Sequence, residues 1–91
     1  MSNYKITEYT KQRAKELGIN VKPSTNKNKK LDVYDKNNKK VVSIGDANYK
    51  DYGIYLKEKG KQYADVRRNL YLKRHANDKN KAGIYARLLL W

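Results

Sequence analysis

The chain holds 91 residues, with 22 Lys and Arg against nine Asp and Glu, for a formal charge of +13. It has no Cys, which excludes disulfide staples and thiolate metal sites, and no apolar run approaches a membrane span. A surplus of this size repels itself in a compact state and calls for a polyanion to absorb it: nucleic acid first, then an anionic membrane surface or an acidic protein.

The positive charge is uneven: +2 over residues 1–20, +5 over 21–41, zero over 42–60 and +6 over 61–91. Two basic blocks around a neutral, tyrosine-bearing centre argue for a fold that presents two positive surfaces. The bland alternative is AT-rich coding, which raises Lys, Asn and Tyr together. It should raise Asp and Glu as well, and these have not kept pace. A chain of this length suits one domain, residues 1–91, with a small core. Nine Tyr and one Trp stand in for the absent Phe. The core is therefore expected to be shallow and polar-edged, because tyrosine buries its ring and keeps its hydroxyl wet. The opening Met1-Ser2-Asn3-Tyr4 lacks a signal-peptide pattern, which sets the expectation of a protein intracellular at synthesis.

In chain order, Ile6 to Leu17 has helical texture. Thr7 can cap it, Thr10, Ala14 and Leu17 recur at three- and four-residue steps, and Gly18 stands where a left-handed residue would end it. Ile19 to Lys22 alternates like a short strand that Pro23 stops. Pro23 to Lys30 is a polar, cationic loop, either a solvated connector or a phosphate-seeking segment. Leu31–Asp35 and Lys40–Ile44 are the clearest strands, with a turn at Lys36–Lys39. Leu31 and Val33 should share one face, as should Val42 and Ile44. Asp46 or Asn48 is expected to cap a helix through Lys59. Tyr49, Tyr52 and Leu56 would form its core stripe, widened by Tyr55. Gly53 inside it marks a kink or a close approach, and Gly60 a terminator.

The densest signal lies from Lys61 to about Ala76. Tyr63, Val66 and Leu70 share a face, Arg67, Tyr71 and Arg74 a neighbouring one, and Lys61, Arg68 and His75 another. This helix is expected to pack on one side and meet a partner on another. Guanidinium forks bind phosphate oxygens bidentately, and a ring at Tyr71 could pack on sugar or base. The competing reading pairs Arg67 or Arg68 with Asp65, Asp51 or Asp46, and one of the two arginines is expected to be structural. His75, the sole histidine, has no metal-spaced carboxylate. It reads as a helix-end residue suited to the dipole, with phosphate contact second. After a polar turn, Ile84, Leu88 and Trp91 form a helical stripe beside Tyr85 and Leu89. The apolar end Leu88-Leu89-Leu90-Trp91 either caps its own core or enters a partner's groove; the first is the commoner outcome.

There is no Gly-rich phosphate loop, no HExxH, and no Ser or Cys with a base in a recognisable frame. The acids are scattered, with no Asp-x-Asp or Glu-x-x-His pair to hold a metal. No catalysis, cofactor or metal is expected.

Several segments together carry a resemblance. They are Ala14-Lys15-Glu16-Leu17-Gly18-Ile19, Val21-Lys22-Pro23-Ser24-Thr25, Lys29-Lys30-Leu31-Asp32-Val33-Tyr34 and Ser43-Ile44-Gly45. Then come Tyr49-Lys50-Asp51-Tyr52, Tyr55-Leu56, Gly60, Tyr63-Ala64, Arg67-Arg68, Leu70-Tyr71, Arg74-His75 and Leu89-Leu90-Trp91. In this order the chain resembles a family of short basic proteins encoded by large nucleocytoplasmic DNA viruses of algae and protists. It departs from the family before the final Leu-Leu-Trp, where Lys81-Ala82-Gly83-Ile84-Tyr85 holds less glycine. The family carries no assigned activity. The resemblance implies a viral source, action in the virion or in the cytoplasm or nucleus of the host cell, and little mechanism.

The expected fold is a small α+β domain: an N-terminal helix, a two- or three-stranded antiparallel sheet around the hairpin 31–44, then two or three C-terminal helices. The expected function is non-catalytic binding of nucleic acid, DNA favoured, through the phosphate backbone without base specificity. Lys27, Lys29 and Lys30 from the loop would make the contacts, with Arg67, Arg68, Lys73 and Arg74 from the helix and Tyr71 and His75 beside them. The alternative is a virion structural or minor capsid protein whose tail, Leu88, Leu89, Leu90 and Trp91, anchors it to capsid or other virion proteins. A host-directed inhibitor that imitates basic partners stands third.

Overall fold

A computed structural model describes residues 2–91. Helix α1 (Glu8–Leu17) starts where the Thr7 side chain accepts the Thr10 N–H at 3.3 Å, replacing one bond that the first helical turn lacks. It ends at Gly18, whose φ of 69° glycine adopts without the strain a Cβ would bring. Strands β1 (Asn20–Pro23), β2 (Lys29–Tyr34) and β3 (Lys40–Asp46) then form an antiparallel sheet in the order β1-β2-β3. Pro23 closes β1 opposite Leu31, which an edge strand tolerates because its outer N–H needs no partner. Asp35 holds the β2–β3 turn, its carboxylate accepting the N–H of Asn37 and of Lys39 at 2.9 and 3.0 Å.

The register sets Leu31 opposite Ile44 and Val33 opposite Val42, so period-two alternation delivers the apolar pairs to one face. Helices α2 (Tyr52–Lys59), α3 (Lys61–Arg74) and α4 (Lys81–Leu90) complete the α+β architecture. Helix α4 lies on β3 and against α1, and α2 packs on α3. The core is Ala14, Leu31, Val33, Ile44, Leu89 and Leu90.

Two buried carboxylates organise what the sheet leaves polar. Asp32 accepts from the Ser24 and Ser43 hydroxyls, each at 2.6 Å, and from the Thr25 N–H at 3.1 Å. Asp51 caps α2 through the Ile54 N–H at 3.1 Å, accepts the Tyr4 hydroxyl at 2.5 Å and pairs with Lys30 at 3.0 Å. Burial, reinforced by the Asp51 charge, pushes the Tyr4 hydroxyl far above the usual phenol range.

Several expectations are corrected. The cap of α2 is Asp51 rather than Asp46 or Asn48, because Asp46 is engaged in a turn: its carboxylate accepts the Asn48 N–H at 2.9 Å and its carbonyl the Tyr49 N–H at 3.1 Å. Tyr49 therefore lies outside the helix and is exposed rather than core. On α3 the face of Tyr63, Val66 and Leu70 is exposed, and the fully buried position is Ala64. A methyl side chain lets α3 approach α2 closely, and among the described residues no third layer covers the outer face. On α4 the buried pair is Leu89 and Leu90, while Ile84 and Leu88 border a shallow cleft with Leu17 and Ile19.

Gly53 is a close approach rather than a kink: a Cβ there would overlap the Thr7 side chain. Exposed helical glycines normally gain about 1 kcal/mol on mutation to alanine. Gly53→Ala is instead expected to destabilise by about 1–3 kcal/mol through overpacking, measured by urea denaturation. A stabilised variant would contradict the α1–α2 contact.

Candidate nucleic-acid interface

Residues three and four apart on a helix share a side, so α3 presents Arg67, Leu70, Tyr71 and Arg74 together. The end of α4 brings Trp91 against this face, its ring 4.4 Å from Tyr71 and inclined by only 7°. His75 stacks on Tyr71 at 4.3 Å and 29°. Two rings this near and this parallel place Tyr71 between them. With Lys29 at the start of β2 and Tyr49 and Lys50 after β3, these residues line a groove of about 520 Å³.

Four cations line the groove, Lys29, Lys50, Arg67 and Arg74, against two carboxylates, Asp46 and Asp78. Among the described residues no carboxylate lies within 4.0 Å of Lys29, Arg67 or Arg74. Arg67 is steadied by a ring instead, its guanidinium carbon 5.4 Å from the centre of Tyr55, a cation–π arrangement that leaves its N–H groups free to donate. Lys50 is shared with Glu58 at 2.7 Å, and that hydrogen bond and charge raise its pKa above the usual lysine value. Across the whole molecule six of the 22 Lys and Arg have a carboxylate within 4.0 Å among the described residues. Most of the surplus charge is thus uncompensated by the fold itself.

Of the residues expected at the site, Lys29, Arg67, Tyr71, Arg74 and His75 come together in the groove. Lys27 is exposed on the β1–β2 loop and Lys73 is exposed on α3, and neither lines it. Lys30 must be withdrawn as a phosphate contact. Strand β2 begins two residues earlier than expected and carries Lys30 inward, to 2% exposure against Asp51. Arg68 is withdrawn as well, and is the structural arginine of the pair. Ring faces hold it rather than any of the acids considered: its guanidinium carbon lies 3.6 Å from the centre of Tyr52, and it donates to the Tyr9 hydroxyl at 3.1 Å. Asp65 is satisfied by Tyr52 and Lys61 at 2.6 and 2.8 Å.

Tyr71 is a wall and not a platform, since Trp91 and His75 cover its faces. Burial, helped by Asp78, pushes its hydroxyl above the usual phenol range. His75 is engaged by Asp78 through Nδ1, 2.6 Å from Oδ2, which leaves only Nε2 for a phosphate. The proposed tail anchor is also corrected. Leu89 and Leu90 are buried in their own core, and Leu88 and Trp91 are half-buried.

Sequence reasoning did not find Tyr49 and Lys50 at this site, and it assigned Trp91 to another role. No periodicity links residues 29, 49 and 91 to α3; only the fold makes them neighbours. No family model, curated protein or solved structure matches the chain. Among the described residues no group of three His, Asp or Glu could hold a metal, and no helix is long and apolar enough to cross a membrane.

Proposed function

We propose that the protein is a non-catalytic nucleic-acid-binding protein that holds a phosphate backbone, DNA before RNA, without reading base edges. The observation that supports this is the groove where Lys29, Arg67 and Arg74 stand, among the described residues, with no carboxylate within 4.0 Å. Arginine forks match phosphate oxygens bidentately. Asn80, an amide that lines the groove, has its oxygen engaged by the Gly83 N–H at 2.6 Å, which weakens it as a bidentate reader of adenine. Taken with the resemblance to proteins of large DNA viruses, the polyanion would be viral DNA, met in the virion or in the host cytoplasm or nucleus.

The expected measurement is a salt series on duplex DNA. Three contacted phosphates give a log–log slope of about −2.7, and Arg67→Ala and Arg74→Ala each flatten it by about 0.9. Lys27→Ala and Lys73→Ala, which lie outside the groove, change it less. Affinity that is indifferent to salt, or a slope unchanged in the double arginine variant, refutes the proposal. The virion-structural alternative has lost its tail anchor to the core and would need another surface.

A further inference from the structure

Beside the cationic groove runs apolar surface that the fold leaves bare. Leu70, which lines the groove, is 45% exposed, and Tyr63 and Val66 on the same face of α3 are 43% and 54% exposed. Tyr49, which also lines the groove, is 70% exposed, with neither face stacked on another ring among the described residues. Helical spacing sets Tyr63, Val66 and Leu70 in a row with Arg67 and Arg74 along one side.

A duplex has little to offer such a row. Its base faces are stacked inward, and phosphate and sugar are what a backbone-binding surface meets. A single strand offers its phosphates and its base faces together, and base faces gain from rings and apolar side chains wherever a cationic track holds the backbone. A second copy of this chain fits poorly, because it would set arginines against arginines on a protein of formal charge +13. The charge along the row selects an anion and the exposed rings select a planar one.

We infer that the groove and the adjoining face of α3 bind single-stranded nucleic acid in preference to duplex, with phosphates on Lys29, Arg67 and Arg74 and bases against Tyr49 and Leu70. This rests on the nucleic-acid reading above and names the form of its ligand. Tyr71 and Trp91, stacked on each other, line the groove without a free face between them, and the two exposed side chains do the packing.

The test is fluorescence anisotropy with a labelled oligo-dT strand and a mixed-sequence duplex of equal length, at one salt concentration. The single strand is expected to bind about tenfold tighter than the duplex. Tyr49→Ala should weaken single-strand binding by about five- to tenfold, the lower range for loss of one stacked base, and Leu70→Ala should weaken it by a smaller factor, since leucine packs on a base without stacking. Duplex binding should stay within about twofold, since it uses phosphate contacts alone. Tyr49→Phe keeps the ring and should retain affinity. Both side chains are exposed, so circular dichroism spectra should match the parent protein. Equal binding of strand and duplex, or an unchanged ratio in Tyr49→Ala and Leu70→Ala, overturns this inference and leaves the nucleic-acid reading in place. Failure of both ligands to bind removes both. An acidic amphipathic peptide that binds this face and is not displaced by oligo-dT would assign it to a protein partner and overturn the inference as well.

Discussion

Replacing Leu89 and Leu90 together by alanine is expected to unfold the protein. Both side chains are fully enclosed, at 0% and 1% exposure, among Ala14, Leu31, Val33 and Ile44. A buried Leu→Ala change costs about 2–5 kcal/mol in lost transfer and cavity formation. Two such changes approach the whole stability of a small domain, about 5–15 kcal/mol. Helix α1 adds polar ties to the same segment. Thr10 donates its hydroxyl hydrogen to the Leu89 carbonyl at 2.8 Å, and Arg13 donates to the Leu88 carbonyl at 3.1 Å. These bonds satisfy carbonyls that the end of α4 leaves without helical partners. Circular dichroism during urea denaturation reads the result. Leu88→Ala, at a half-buried position, should cost clearly less than either buried leucine. A double variant that stays folded and loses only an assembly partner would restore the tail as an anchor.

Asp32→Ala is expected to cost about 3 kcal/mol or more, from the loss of charge-assisted hydrogen bonds worth roughly 1.5–3 kcal/mol each and the stranding of their donors. Ser24 is fully buried and has Asp32 as its hydroxyl acceptor, while Ser43 and the Thr25 N–H reach the same carboxylate. Loss of Asp32 therefore loosens β1, β2 and β3 at one point. Burial alone would raise the Asp32 pKa. Hydrogen bonds from Ser24, Ser43 and Thr25, with the nearby Lys40 charge, outweigh burial and hold it well below the usual carboxylate range. A folded pKa below the unfolded one means that this stabilisation is fully present above about pH 4–5. It is lost progressively as the pH falls below the unfolded value of 3.8 toward the folded one. Urea midpoints at pH 7 and pH 3 measure this. The parent protein should lose stability between the two, and Asp32→Ala should lose less, since its main acid-sensitive carboxylate is gone. An equal loss in both would place the acid sensitivity elsewhere.

The arginines show where pattern reading stops. Arg67 and Arg68 are adjacent and chemically identical, and the expectation that one is structural comes from the acids Asp65, Asp51 and Asp46 offered as partners. Which one is decided by Tyr52 and Tyr9, on two other helices, whose rings enclose Arg68. The lysines of the first basic block divide in the same way. Lys29 and Lys30 are neighbours, yet Lys29 reaches the groove and Lys30 is buried against a carboxylate 21 residues further on.

By itself the sequence determined the local framework: Thr7 and Gly18 at the ends of α1, the hairpin with its paired apolar positions, the break at Gly60 and the basic helix α3. Those signals act over a few residues, through backbone conformation, side-chain period and capping, and so they can be read along the chain. The sequence also determined the charge, and with it the expectation of an anionic partner. Only the tertiary structure decided which cations remain unpaired, which tyrosines are enclosed, and that Trp91 meets Tyr71 while Leu89 and Leu90 enter the core. Burial and ion pairing depend on distances between segments far apart in the chain, and those distances exist only once the sheet and the four helices have packed.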